Sequence, residues 1–372
     1  MNCVEKTINR SKKMDERRLR YQLLLIRMAT SLLAVGLTLL VGAVFIVLAG
    51  SDPFTAYYWM YQGSLGGVSI MVETLVRSTP ILLVSQGLAV AFTAKLWNIG
   101  AEGQLYMGGM LASIAAIMLQ GLPSYSAIPV ILLLAGLAGA FWALIPALLK
   151  AYYEINEVFT TLMLNYVALY IVSYLLLGPF RDPVSQFPET QTISKELWLP
   201  IMLQGTRLHA GVLLTVFIAT PVVYFVLKKT VFGMRLSILG ANPEAARYSG
   251  INIVKQIVLS LVLSGFLAGV AGGVEVLGIQ HKMRMEISPG YGYTGIAVAL
   301  LGYLNPFGIL LASLFMGGVM NGSTTMHRMA RIPVGMAYLI QSLAILFIMV
   351  GYLIQERLAA RLFERLEEHR PA

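Results

Sequence analysis

The sequence predicts an all-α, polytopic membrane protein with about 10 (8–10) transmembrane helices. Hydrophobic residues make up 57% of the chain and charged residues only 12%, and the mean hydropathy is +0.74. These values exclude an ordinary water-soluble globule. Apolar stretches of spanning or near-spanning length recur along the chain. They lie near 23–50, 75–93, 99–120, 127–149, 157–178, 209–228, 256–278, 291–303, 305–321 and 334–354.

Lysine and arginine predict the orientation of these spans. Residues 1–22 are rich in them. If the chain crosses the membrane ten times, most of the other lysines and arginines lie on the same side as these residues. Because basic residues accumulate in cytoplasmic segments, both termini are predicted to be cytoplasmic. No small-residue cleavage site follows the first apolar stretch, so we expect a retained span rather than a signal peptide.

The chain therefore divides into a basic cytoplasmic extension over 1–22, a transmembrane domain over 23–354 and a cytoplasmic tail over 355–372. Apolar residues recur at helical spacing in the tail, which predicts an amphipathic helix along the membrane surface. The longest polar stretches of the domain are the cytoplasmic loop 229–255 and the outer loop 179–208.

The two large outer loops, 51–73 and 179–208, carry aromatic residues in positions typical of a membrane–water interface. Prolines in the second loop fix its backbone and favour an ordered, extended cap. Interfacial anchoring accounts for most of the aromatic residues. A docking surface for an external partner is the alternative.

Two apolar segments, 99–120 and 291–303, are short or interrupted by glycine, which predicts broken or re-entrant helices. The first begins with the polar run Trp97–Gln104, whose glycines and polar side chains fit an unwound segment facing a cavity. Helix packing, with Glu102 hydrogen-bonded to a neighbour, is the alternative. The second is entered through Ser288–Ala297, a loop-to-helix run whose free amides could bind a polar substrate group.

A second polar cluster begins the 157–178 span. Its members are Glu157, Thr160, Thr161 and Asn165. Their spacing of three to four residues places several on one helix face. That face either lines a pathway or holds helix to helix through hydrogen bonds, and the sequence leaves both open.

The 256–278 span contains glycines at small-xxx-small spacing. They are Gly265, Gly269 and Gly273. This spacing predicts close packing of helix backbones rather than a binding site. Glu275 follows near the outer end of the span, where Lys282 or Arg284 could neutralise it.

A charged segment, Phe232–Asn252, separates two long apolar runs and is flanked by lysines, so it is predicted to be cytoplasmic. Asn242–Glu244 is typical of a helix start, with a capping Asn, Pro at the first helical position and an acid near the N-terminus. Ala245–Ser249 continue the helix, and Gly250 is a stop. This cytosolic helix suits the docking of a soluble partner, with an ordinary loop as the alternative.

The sequence contains no phosphate-binding loop, no H-E-x-x-H and no nucleophile elbow, and its four histidines lack metal-ligand spacing. Cys3 is the single cysteine of the sequence, which excludes an internal disulfide and a thiolate metal cluster. The net charge of +9 arises at span edges and termini, which does not indicate a nucleic-acid partner. We therefore expect no catalytic residue, no metal site and no cofactor, and any ATP-driven work needs another chain.

Gly240–Ile251 follows the pattern G-x-N-P-x-A-A-x-Y-x-G-I, which resembles the coupling-helix region of bacterial ABC importer permeases. The branch is the one serving branched-chain amino acids, simple sugars and nucleosides. Asn98–Gln104 looks more narrowly like the nucleoside-type permeases of that branch, and Gly292–Gly308 is similar to the same group. The resemblance spans roughly 75–350.

The resemblance implies a permease subunit of the bacterial inner membrane that translocates nucleosides, with purine nucleosides expected. ATP is expected to be used by partner ATPase subunits. The other expected partners are a second permease, expected to be a paralogue, and an external substrate-binding lipoprotein or periplasmic binding protein. The ATPase-coupling residues would be Gly240, Asn242, Pro243, Glu244, Ala246, Arg247, Tyr248 and Gly250. The candidate pathway residues are Asn98, Glu102, Gln104, Glu157, Thr160 and Asn165.

Two alternatives remain open on the sequence alone. A permease of the same family could carry a simple sugar or a related small polar solute. A self-sufficient secondary transporter could instead use Glu102 and Glu157 as proton or sodium sites. Such a transporter would not need the cytosolic helix.

Overall fold

A computed structural model describes residues 25, 26 and 28–368, and the predicted extension over 1–22 lies outside these residues. Within the described part, eight helices are long and apolar enough to cross a membrane, which confirms an all-α polytopic membrane protein. In chain order the helices are α1 (Met28–Leu48), α2 (Pro53–Leu65), α3 (Val68–Thr93), α4 (Ala101–Met118), α5 (Ser124–Tyr153), α6 (Glu157–Leu177), α7 (Ala210–Lys229), α8 (Val231–Ala241), α9 (Pro243–Tyr248), α10 (Ile253–Gln280), α11 (Tyr291–Leu301), α12 (Pro306–Met329) and α13 (Val334–Glu368).

Each apolar segment predicted from the sequence overlaps one of these helices. Of the ten helices that carry these segments, α4 and α11 do not belong to the eight candidate spans. Helix α11 has only 11 residues, and α4 has 18 with Glu102 and Gln104 in its first turns. These are the two segments that the sequence predicts to be short or broken.

Residues 51–73 are largely helical, contrary to the loop expected there. The side chain of Asp52 caps α2, accepting a hydrogen bond from the backbone N–H of Thr55 at 2.8 Å. Pro53 occupies the first helical position, which its fixed φ favours. The Asp-Pro pair is thus the local signal for a helix start, and the aromatic residues of this stretch lie on the helix that follows it.

The chain forms two compact units. One comprises the described parts of 1–56 and 327–372, in which Gly351 of α13 lies against Thr30 and Ala34 of α1. Helix α13 continues to Glu368, so the tail predicted over 355–372 extends the last helix without a break as far as the chain is described.

Residues 57–326 form the other unit, built around the glycine face of α10. A Cβ at Gly265 or Gly269 would overlap the backbone of α5 at Gly139 and Ala135, and a Cβ at Gly108 of α4 would overlap Gly269. The three backbones therefore approach as closely as only glycine allows. This confirms the packing role predicted for the small-xxx-small spacing.

The loop over 179–208, which the sequence predicts to be an outer loop, lies along the end of α10. The backbone N–H of Thr190 donates to the carbonyl of Met283 at 3.0 Å, and that of Ile193 donates to the carbonyl of His281 at 2.9 Å. Trp198 stacks on His281 with ring centroids 3.6 Å apart. The loop is thus held by both its backbone and its aromatic residues.

Glu189 joins this loop to the segment after α10 through two ion pairs. Its carboxylate pairs with Lys282 at 2.7 Å and with Arg284 at 3.2 Å. Burial acts to raise the pKa of Glu189, but the hydrogen bonds and charges of its partners outweigh burial and hold that pKa below its ordinary value. The two cations therefore do not neutralise Glu275, which accepts a hydrogen bond from the Gln280 side chain at 3.1 Å instead.

His209 lies at the end of this loop, directly before α7. Its imidazole ring is fully buried against Gly211 and Gly278. Burial lowers the pKa of His209 to about 4, and neighbouring His281 and Arg207 act in the same direction. The ring is therefore neutral at neutral pH, as its apolar surroundings require.

The glycine contact of α10 leads to a stability prediction. Gly269→Leu inserts a side chain between α10 and two neighbouring helices, so we expect the detergent-solubilised protein to lose most of its monodisperse, folded fraction. Gly36→Leu on α1 is the matched control, because no heavy atom lies within 4 Å of its Cβ position. Fluorescence-detected size-exclusion chromatography measures both. Equal yields for the two variants would contradict the packing described here.

Candidate functional site

The chain is not helical between α3 and α4. The backbone turns at Lys95, which has a positive φ of 56°, and continues without helical structure to Gly100. The unwound segment predicted from the sequence is thus present over Trp97–Gly100. Glu102 and Gln104 lie in the first turns of α4.

Because this segment forms no helix of its own, its backbone groups bind side chains of helix α6 instead. Its buried face presents a carboxylate, a hydroxyl and an amide in successive turns. The bonds are Trp97 N to Glu157 Oε1 at 3.5 Å, Ile99 N to Thr161 Oγ1 at 3.2 Å, Asn165 Nδ2 to the Ile99 carbonyl at 2.9 Å and Gly103 N to Asn165 Oδ1 at 2.8 Å. Because apolar surroundings offer no other partners, these bonds allow the segment to remain unwound.

Asn98 joins the segment to α4 and α10. Its side-chain amide exchanges two hydrogen bonds with that of Gln104, at 2.9 and 3.0 Å. Asn98 Nδ2 also donates to Ser264 Oγ on α10 at 2.9 Å. The amide pair therefore fixes the angle at which the chain enters α4.

Glu102 joins α4 to α11. Its Oε2 accepts a hydrogen bond of 2.6 Å from the backbone N–H of Gly292, in the first turn of α11. The free amide expected at this helix start thus binds a carboxylate of the same chain. One residue later, the Tyr293 hydroxyl accepts a hydrogen bond from Asn165 Nδ2 at 3.2 Å.

The structure brings five of the six candidate pathway residues together and encloses them. Asn98, Glu102, Gln104, Glu157 and Asn165 are all buried, with at most 7% of each exposed. Their observed contacts join the unwound segment to α4, α6 and α10 and join α4 to α11. Such contacts correspond to the packing alternative that the sequence left open for both clusters.

Thr160 differs from the other five. It is partly exposed, and its hydroxyl donates to carbonyls of its own helix at Asn156 and Glu157. Sequence reasoning missed three partners of the network, namely Ser264, Tyr293 and Lys150, the last of which pairs with Glu157 at 2.9 Å. Ser264 and Tyr293 lie far along the chain from the residues they contact, so no local pattern indicates them.

The short helix that the sequence predicts after Asn242 is present as α9. Asn242 Oδ1 accepts hydrogen bonds from the backbone N–H groups of Glu244 and Ala245, at 2.9 and 3.2 Å. Pro243 stands at the first helical position, and Gly250 turns the chain with a φ of 72°. This side-chain cap and the glycine stop give a six-residue helix a defined start and end.

The eight residues of the predicted coupling element divide into two sets. Gly240 and Ala246 face inward, and a Cβ at Gly240 would overlap the carbonyl of Thr93 at the end of α3. The exposed set is Asn242, Pro243, Glu244, Arg247, Tyr248 and Gly250. Tyr248 is 89% exposed. An anchored helix that presents a tyrosine and two opposite charges outward is a suitable docking surface.

Known proteins resemble this chain over most of its length. A family profile described as "Branched-chain amino acid transport system / permease component" matches residues 70–349. A glucose ABC transporter permease protein of Haloferax volcanii, TsgB13, is 34% identical over 92% of each chain. The guanosine ABC transporter permease protein NupP of Bacillus subtilis is 32% identical over 87% of this chain and 93% of its own. The nucleoside permease protein NupB of Lactococcus lactis is 30% identical over 87% of this chain and 91% of its own.

The hydrogen bonds of Asn165 lead to a second stability prediction. Asn165→Leu leaves the Gly103 N–H and the Ile99 carbonyl without their partner, and each buried unpaired group costs about 1–3 kcal/mol. We expect the midpoint of thermal unfolding in detergent to fall by several degrees. Thr160→Val on the same helix should leave the midpoint within about one degree, because the Thr160 hydroxyl bonds only within its own turn. A similar change in both variants would show that the bridge to the unwound segment adds no stability.

Proposed function

Because this chain belongs to the family of branched-chain amino acid transport system permease components, we propose that it is the transmembrane permease subunit of a bacterial ATP-binding cassette importer for nucleosides, with purine nucleosides as the favoured substrates. The observation that carries this proposal is the family match over 70–349. Three relatives named as ABC transporter permeases, each at least 30% identical, add to it.

ATP hydrolysis is assigned to a separate subunit. The sequence has no phosphate-binding loop of its own, so the energy of ATP reaches this chain through a docking surface. The exposed, capped helix α9 suits that role. Glu244 and Arg247 offer both signs of charge to a partner, and Tyr248 offers aromatic area.

One contact and the chain itself connect α9 to the unwound segment. Gly240, two residues before the α9 cap, lies against the carbonyl of Thr93. Thr93 is the last residue of α3, and the unwound segment follows it. Movement of α9 by a closing ATPase pair would therefore be transmitted to the junction where Glu157 binds the backbone of Trp97 and where Asn98 binds Gln104.

The substrate class is the finer part of the proposal. The names of NupP and NupB support nucleosides, and so does the resemblance of Asn98–Gln104 to nucleoside-type permeases. The glucose permease TsgB13 favours a second candidate, a simple sugar. Nucleosides contain a sugar ring, so the two candidates share hydroxyl groups and differ in the base.

The location and the remaining subunits follow from the class of transporter. We assign this chain to the cytoplasmic membrane of a bacterium with both termini in the cytoplasm, and the positions of its basic segments support this. We pair it with a second permease, expected to be a paralogue, with two ATPase subunits, and with an external substrate-binding lipoprotein or periplasmic binding protein. No cofactor is assigned to this chain.

Substrate uptake tests the proposal directly. Cells with and without this chain are given radiolabelled guanosine, adenosine, uridine or glucose, and ATP is depleted in a parallel set while the proton gradient is kept. We expect chain-dependent nucleoside uptake that is lost with ATP. Glucose uptake alone would establish the sugar candidate. Nucleoside uptake that survives ATP loss and collapses with the ion gradient would instead support a secondary transporter.

Charge reversal on α9 tests the docking surface. Arg247→Glu and Glu244→Lys should each reduce uptake at least tenfold, because either change opposes the charge of the docked partner. Membrane insertion, measured by protease mapping of membrane vesicles, should be unchanged. Arg357→Glu is the matched control, since Arg357 is an exposed arginine of α13 far from α9 in the sequence. Full uptake by both α9 variants would exclude α9 as the docking surface.

A further inference from the structure

Three tyrosines lie on the outward face of α6, opposite the face that holds the unwound segment. Tyr166, Tyr170 and Tyr174 are 51%, 75% and 71% exposed. Their spacing of four residues places them one above another on the helix surface. Asn165, Thr161 and Glu157 point inward from the same helix.

The depth of Tyr166 makes this face unusual for a lipid contact. Helix α6 has 21 residues, and Tyr166 is near its middle, about 14 Å from the start at a rise of 1.5 Å per residue. Tyrosines that face lipid belong at the two membrane–water interfaces, where the hydroxyl reaches water. A tyrosine exposed on the surface of the subunit at mid-span therefore indicates a face covered by protein or by water.

A cavity of about 250 Å³ lies on this face. Its wall includes side chains of α4, of α6 and of the loop before α11. They are Tyr106, Tyr166, Leu169, Tyr170, Ser173 and Met285. The volume is below that of a pocket for a drug-sized ligand and suits a single planar ring system.

The cavity wall is supported by the two short helices. The Tyr106 hydroxyl donates to the carbonyl of Met285 at 2.9 Å, which fixes the tyrosine ring of α4 against the loop that enters α11. Tyr293 on α11 is bonded to Asn165, next to Tyr166 in the sequence. Broken helices that begin within the membrane are where transporters place their substrate sites.

We propose that this tyrosine cavity is the substrate-facing wall of the permease and that it binds the base of a nucleoside by stacking. The inference rests on the proposed function and names the contact surface for it. Aromatic rings stack on the faces of all purine and pyrimidine bases, because every base has a π-face. Ser173 and the tyrosine hydroxyls can bond the ring edge or the sugar. The enclosed network of Asn98, Glu102 and Asn165 then positions this wall and does not itself touch the substrate.

Cysteine accessibility tests the proposal in the complete transporter. Cys3 is the sole cysteine of the chain, so a Cys3→Ser background is free of thiols in this subunit. Tyr170→Cys is introduced on it, and Phe141→Cys on α5 is the matched control, since Phe141 is an exposed aromatic residue of a spanning helix outside the cavity. Membrane vesicles are treated with a charged methanethiosulfonate reagent, with and without 1 mM adenosine, guanosine or glucose.

We expect the cysteine at position 170 to be labelled and the labelling to slow at least threefold with adenosine or guanosine, while the cysteine at position 141 stays unlabelled. A position 170 that is not labelled would overturn the inference, because the face would then meet lipid or a tightly packed second permease. Labelling that no nucleoside slows would overturn the stacking site. Wild-type nucleoside uptake in the same vesicles shows separately whether the proposed function holds.

Substitutions that keep or remove the ring give a second readout. Tyr170→Leu should raise the KM for nucleoside uptake about tenfold, whereas Tyr170→Phe should keep it within twofold, because the phenyl ring still stacks. Equal effects of the two substitutions, or a fall in kcat with an unchanged KM, would contradict stacking on the base and indicate a structural role.

Discussion

A stretch of non-helical backbone in apolar surroundings must find hydrogen-bond partners, and this requirement governs the centre of the molecule. Trp97, Asn98 and Ile99 are outside any helix, and Gly100 caps the start of α4. Glu157, Thr161 and Asn165 supply partners from three successive turns of α6. Each of those side chains is therefore committed to the backbone opposite it. The positions of α4, α6 and α11 follow, since α4 starts where the segment ends and its Glu102 binds the first turn of α11.

Glycine and amide contacts stabilise this centre in different ways. The glycines of α10 let its backbone lie directly on α4 and α5, so that many weak dispersion contacts form over a long surface. The amides of Asn98 and Gln104 are few and directional, and they select one arrangement among those that close packing would allow. Gly240, two residues before the cap of α9, lies against the end of α3 and so connects this frame to α9. The proposed coupling of ATP use to transport depends on that connection being stiff.

The sequence predicts the parts of this structure that have a local signature. Hydropathy locates the spans, Asn242-Pro243 marks the start of α9, and glycine spacing indicates the close face of α10. It does not predict pairs distant in the chain: Asn98 with Ser264, Glu102 with Gly292, or Glu189 with Lys282 and Arg284. For the same reason it could not decide whether the polar clusters face a cavity or another helix. The tyrosine face is not predicted by the sequence, because the sequence does not show whether these tyrosines lie on the subunit surface or pack against a neighbouring helix.

The glycine face of α10 has a consequence for how the protein is made. Gly108 and Gly139, which receive α10, are synthesised long before it, and so is Asn98, which awaits Ser264. Helices α3 to α6 must therefore enter the bilayer while their common neighbour is still on the ribosome or in the translocon. Until α10 is in place, the faces that it will occupy lack their protein neighbour, and Asn98 lacks its bond to Ser264. Assembly of this subunit therefore waits for the insertion of α10. Contacts between residues distant in the chain form late, and this slows folding.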